Sequence, residues 1–207
     1  SGTYSIDSGE YLFDGRPVTV HSPRDAGALG IEIVYQDLAL CDNLDIVQNM
    51  FLGRERSSGL VLDESSMEQS AQETLTSLSV RTVKSVRQRV ASLSGGQRQT
   101  VAIAKAVLWN SKVVVLDEPT AALGVAQTAQ VLSLVRRLAD RGLAVVLISH
   151  NMNDVLQVAD RIAVMYLGRM AATVQRSDVN QQQLVELITT GQLDGAMPAG
   201  ATREVPA

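Results

Sequence analysis

The chain has 207 residues, 45% of them hydrophobic and only 3% aromatic, with a formal net charge of −4; this allows one large domain, or a core with a subdomain, packed mainly by aliphatic side chains. The acidic balance argues against broad nucleic-acid binding, which needs Lys and Arg to neutralise phosphates. Cys41 is the only cysteine, which excludes an internal disulfide or a cysteine-built zinc cluster, and no apolar run approaches the roughly 20 residues that span a bilayer, so any membrane link is expected to run through a partner.

Ser1 to Glu10 is polar and turn-rich. Tyr11 to Phe13, Asp14-Gly15 and Pro17 to Val20 read as a hairpin, because Asp-Gly supplies the positive φ angles of a tight turn. Ser22 then caps a short helix with Pro23 at its first position and Gly30 as its stop. Ile31 to Tyr35 is a strand ending at Gln36. A loop, a short helix over Leu44 to Leu52 and a mixed connection over Gly53 to Leu62 follow. Asp63 caps a helix running to Leu78.

Ser79 to Val90 is a linker. Arg81, Lys84, Arg87, Arg89 and Arg98 form an interrupted basic stretch, read as a solvated face. Gly95 to Trp109 is the next helix. Val113 to Leu116 is a continuous apolar run of strand length, expected to be buried on both faces as in a parallel sheet. Val125 to Asp140 carries Val131, Leu134, Val135 and Leu138 at helical spacing, and Gly142 ends it. Leu143 to Ile148 is a second buried strand. A helix over Met152 to Val158, strands over Arg161 to Tyr166 and Met170 to Val174, and a helix over Ser177 to Ile188 complete the pattern. The alternation after residue 112 predicts an α/β core with right-handed crossovers. The expected division is 1–38, a helical subdomain over 39–110, an α/β core over 111–190 and a flexible Gly/Ala/Pro tail over 191–207.

Ligands of open α/β sheets gather at the C-terminal ends of strands. Gln36, Asp117-Glu118 and Ser149-His150 all fall at such ends. Asp117 suits either a helix cap or a carboxylate that holds Mg²⁺. Its neighbour Glu118 is placed to orient a water and take its proton. Leu93-Ser94-Gly95-Gly96-Gln97 reads as a capped glycine turn, or as an anion site whose backbone N–H groups and helix N-terminus face phosphate. His150 reads as a structural histidine or as a contact to a terminal phosphate.

These residues together carry a resemblance to the ATP-binding-cassette ATPases. LSGGQ, VVVLDEPT, Gln36 and His150 match the signature loop, the Walker B pair, the glutamine loop and the switch histidine. SPRDAGALGIEIVYQDLAL, NMFLGRE and LISHNM are similar to bacterial monosaccharide importers of the ribose and fructose type. The resemblance runs from about Thr3 to about Ile188. It implies a P-loop NTPase (RecA-like) core of mostly parallel sheet with a helical signature subdomain, ATP and Mg²⁺ as cofactors, and sugar import coupled to ATP hydrolysis. It further implies Glu118 and His150 as catalytic residues, Gln36 and Ser94 to Gln97 on nucleotide, and Asp117 with Gln36 on the metal. The implied partners are a second ATPase subunit in a homodimer, an integral membrane permease and, indirectly, a periplasmic or extracellular sugar-binding protein. The implied location is peripheral, on the cytoplasmic face of the bacterial membrane.

Two departures qualify this. No G-x-x-x-x-G-K-[ST] occurs in the 207 residues. The phosphate-cradling loop is therefore expected before Ser1, and these residues alone are expected to lack ATPase activity. Gly124 also stands where the family usually places Asp. The competing readings are a non-transport member of the superfamily and a non-catalytic interaction fragment.

Overall fold

The computed structural model describes residues 1–80 and 82–192. The expected tail beyond 192 and the basic residue Arg81 lie outside the described residues. The chain divides into two compact units, the first Ser1–Ile148 and the second beginning at Ser149.

In the first unit, β1 (Leu12–Phe13) and β2 (Arg16–Pro17) form an antiparallel ribbon. Asp14 and Gly15 both take positive φ, the geometry of a two-residue hairpin turn. Helix α1 (Pro23–Ala28) starts where Ser22 accepts the Asp25 N–H at 3.2 Å. The central sheet contains β3 (Ile31–Val34), β6 (Val113–Asp117) and β7 (Ala144–Ile148), all parallel, in the order β3-β6-β7. Between β3 and β6 lie α2 (Ile46–Phe51), the small ribbon β4 (Ser57–Ser58) and β5 (Val61–Leu62), α3 (Glu64–Ser77) and α4 (Gly95–Leu108). Helix α5 (Val125–Asp140) crosses from β6 to β7. Ile46, Met50 and Phe51 of α2, Met67, Ala71 and Leu75 of α3, and Val101 and Ile103 of α4 are buried in these mutually packed helices.

Several expectations are corrected. The core strands are not buried on both faces. In β6, Val114 and Leu116 are fully buried, but Val113, Val115 and Asp117 are only half-buried. In β7, Val146 and Ile148 are each 48% exposed. The reason is unequal cover. Helices α4 and α5 pack against the sheet and shield the face carrying Val114 and Leu116. On the other face, α1 and the β1–β2 ribbon cover only the end near Ile31 and Val113. The connection after Gly53 contains the β4–β5 ribbon, with Gly59 at positive φ in its turn. The basic stretch is not simply solvated. Arg87 binds Glu68 at 2.8 Å, Glu64 at 3.1 Å and Asp45 at 3.4 Å, and Arg98 binds Asp42 at 2.8 Å. The hydrogen bond that the Arg87 guanidinium donates to the Glu68 carboxylate leads in holding it above its ordinary range.

The second unit holds α6 (Met152–Val158), β8 (Arg161–Tyr166), β9 (Arg169–Gln175) and α7 (Gln181–Thr190). Ile162, Val164, Ala172, Val174, Leu184 and Leu187 form its core. Strand β8 pairs antiparallel with β9 through a Leu167-Gly168 turn, both residues at positive φ. Helix α7 begins four residues later than Ser177, because Asn180 and Gln183 form a reciprocal capping box.

Candidate functional site

Parallel pairing brings the C-terminal ends of three strands to one edge of the sheet. Val34 is level with Leu116, Leu116 with Leu147, and Asp117 with Ile148. Gln36 is exposed two residues past the end of β3, and half-buried Asp117 is the last residue of β6. Glu118 follows at φ 47°, and its N–H donates to the Ile148 carbonyl at 2.9 Å. The ladder thus continues one residue beyond β6 while the left-handed backbone turns the chain away. That conformation costs a non-glycine residue roughly 1–2 kcal/mol. It is held by the turns that follow: Ala121 N–H donates to the Glu118 carbonyl at 3.1 Å, and Leu123 N–H to the Thr120 carbonyl at 3.2 Å. Ala122 is a second left-handed residue, at φ 61°. Pro119 and Thr120 are buried. Glu118 therefore sits on a tight, internally bonded loop.

The loop before β6 supplies the second feature. Ser94 caps α4, accepting the Gln97 N–H at 3.4 Å, while Gln97 Oε1 accepts the Ser94 N–H at 2.8 Å. The same Gln97 amide donates through Nε2 to the Thr82 carbonyl. Ser94 and Gln97 thus close a capping box, a structural role beside the anion-binding one. The Gly95 and Gly96 N–H groups at this helix start suit an anion. Gly95 also packs on the loop after the acidic pair, and Gly96 on the first turn of α5. A Cβ at Gly95 would lie 3.2 Å from Leu123 Cδ2, and one at Gly96 would lie 3.0 Å from Gln127 Cβ.

Asp117 and Gln36 offer one carboxylate and one amide oxygen. Among the described residues, no group of three or more His, Cys, Asp or Glu is suited to a metal. Hard oxygen donors in such small number fit Mg²⁺, which keeps several waters and binds substrate phosphates instead of a full protein cage. His150 is exposed two residues after β7, in the second unit. There the Ser149 hydroxyl accepts the Asn151 N–H at 3.0 Å, and Asn151 caps α6.

Sequence reasoning missed Asn49 and Gln127. Asn49 is fully buried on α2. Its Oδ1 accepts the Cys41 N–H at 2.7 Å, and its Nδ2 donates to the carbonyls of Cys41 at 3.0 Å and Asp45 at 2.9 Å. The loop leaving Gln36 is therefore tied to α2. Cys41 itself is half-buried. Nearby Lys105 on α4 is half-buried too, and burial leads in pushing its ammonium below the ordinary lysine range.

A parallel α/β sheet, an acidic pair closing its middle strand and a helix opened by Leu-Ser-Gly-Gly-Gln define an ATP-binding cassette of the P-loop NTPase class. The ABC transporter family profile matches residues 1–121. The chain is 45% identical to the fructose import ATP-binding protein FrcA of Rhizobium meliloti, over 91% of this chain and 75% of that protein. It is 40% identical to the xylose/arabinose import ATP-binding protein XylG of Sulfolobus acidocaldarius, over 92% of this chain and 75% of that protein. A ribose import ATP-binding protein, RbsA 1 of Rubrobacter xylanophilus, is 38% identical over 98% of this chain but only 40% of its own length. Among solved structures, a nucleotide-free ATP-binding cassette from an ABC transporter aligns with a TM-score of 0.74 at 23% identity, over 84% of this chain and 72% of that one. CbiO1 of Clostridium perfringens, part of the ABC transporter complex cbiONQ, aligns with a TM-score of 0.72 at 26% identity, over 89% of this chain and 72% of that one. The chain belongs to the ABC transporter family. Among the described residues no helix is long and apolar enough to cross a membrane.

Proposed function

We propose that this chain is the ATP-hydrolysing part of an importer for a monosaccharide. The observation that carries the proposal is the acidic pair at the end of β6, in a chain 45% identical to a fructose import ATP-binding protein. Glu118 acts as the base that orients the attacking water and takes its proton. Its carboxylate starts from a backbone fixed by the Ile148 carbonyl and the turns through Leu123, so little reorganisation is needed as the water attacks. Asp117 and Gln36 hold Mg²⁺, which when bound neutralises charge on the β- and γ-phosphates. Ser94 to Gln97 present hydroxyl and backbone N–H groups to nucleotide held by a second copy of the chain, in a head-to-tail homodimer. His150 contacts the γ-phosphate.

The division into 1–38, a helical subdomain over 39–110 and a core over 111–190 follows from this reading. The helical part carries the signature loop, and the surface from Gln36 to Phe51 meets an integral membrane permease. The assembly lies on the cytoplasmic face of the membrane. Sugar choice belongs to the permease and a separate sugar-binding protein.

The test uses the full-length protein with Glu118→Gln. That variant is expected to bind ATP within about twofold of wild type and to lose at least about 100-fold in kcat, the scale of general acid–base contributions. ATP turnover at the wild-type rate would remove Glu118 from the base role.

A further inference from the structure

The two glycines of the signature loop each face a residue from the segment after the acidic pair. Gly95 faces Leu123, and Gly96 faces Gln127. A Cβ on Gly96 would lie 3.0 Å from Cβ and 3.1 Å from Cγ of Gln127, closer than a side chain tolerates without movement of its neighbour. Gln127 also reaches the other way, for its Oε1 accepts the Gly124 N–H at 3.3 Å. Gly124 lies at the end of the turns that begin at Glu118. One side chain therefore rests its stem on the signature glycine and holds with its amide oxygen the loop leading from Glu118.

We infer that Gln127 is a positioning residue for ATP hydrolysis, fixing the loop that carries Glu118 against the signature loop of the same chain. This rests on the proposed roles of Glu118 and of Ser94 to Gln97. In that arrangement Glu118 acts on the chain's own nucleotide while the signature loop acts on the partner's. Gln127 is then a direct mechanical link between the two, and movement at one loop is felt at the other. Contact alone does not make a coupling, so the link must be separated from simple packing.

Two variants of the full-length protein make that separation. Gln127→Met keeps an unbranched stem against Gly96 but cannot accept from Gly124. Gln127→Glu keeps the stem and an acceptor oxygen. Gln127→Met is expected to lower kcat about tenfold, the effect of a misplacement well below 1 Å, while ATP affinity stays within about twofold and the melting temperature within about 2 °C. Gln127→Glu is expected to stay within about twofold of wild-type kcat. Wild-type kcat in Gln127→Met overturns the inference, as does an equal loss in both variants. Glu118→Gln runs in the same assay. If it hydrolyses ATP normally, the underlying site reading fails. If it is blocked while Gln127→Met is normal, only the role of Gln127 fails.

Discussion

Asn49 shows how much one buried amide holds in place. Its three hydrogen bonds satisfy both backbone groups of Cys41 and the Asp45 carbonyl. Asn49→Leu removes all three and takes from the Cys41 N–H the acceptor it uses, while the Cys41 carbonyl keeps the Leu44 N–H at 3.2 Å and the Asp45 carbonyl keeps the backbone N–H of residue 49 at 3.0 Å. The expected loss is about 1–3 kcal/mol of stability, the cost of stranding one backbone donor, read as a lower urea midpoint at unchanged slope. A loss below about 0.5 kcal/mol would mean that the loop after Gln36 is held by other contacts. Asp117 and Glu118 were legible in the sequence because an apolar run ended on them. Asn49 and Gln127 were not, because their importance lies in partners brought near by folding. The contact between Gly96 and Gln127 spans the whole of α4 and β6. The spacing Gly124-x-x-Gln127 was the one local hint, since it repeats the spacing of Ser94 and Gln97.

Capping chemistry set the helix starts that periodicity misjudged. Asp45 with Gln48, and Asn180 with Gln183, form reciprocal boxes, so α2 and α7 begin later than their apolar patterns suggested. Helix α5 lacks a side-chain cap because Gly124 occupies the position, at an ordinary φ of −73°. A Cβ there would meet nothing nearer than Gln127 Oε1 at 3.9 Å. Gly124→Asp is therefore expected to add a cap and a favourable charge at the start of α5, worth about 0.3–1 kcal/mol. The melting temperature should rise by about 1–4 °C in a thermal scan, and a fall would show that the loop rejects a carboxylate. The exposure of β7 had a different cause. An apolar run announces strand residues, but whether both faces are covered depends on helices far along the chain. Strand β8 read as a further core strand for the same reason, although its partner β9 was expected directly after it, over Met170 to Val174.

At the scale of the whole molecule, the cassette fold was legible because its motifs are spaced along nearly the entire chain. The parallel sheet then brings Gln36 and the Asp117-Glu118 pair to one edge. The packing of the signature glycines against Leu123 and Gln127 was hidden, being a property of helix approach and not of any single string. On the proposed function, ATP hydrolysis at Glu118 drives entry of a monosaccharide. The most direct measurement reconstitutes the full-length protein with its permease in vesicles and follows uptake of labelled fructose, ribose, xylose and arabinose. ATP-dependent uptake of at least one of these sugars, lost in Glu118→Gln, is the expected result. No ATP-dependent uptake of any of them, from an ATPase that hydrolyses at the same rate with and without the permease, would contradict it.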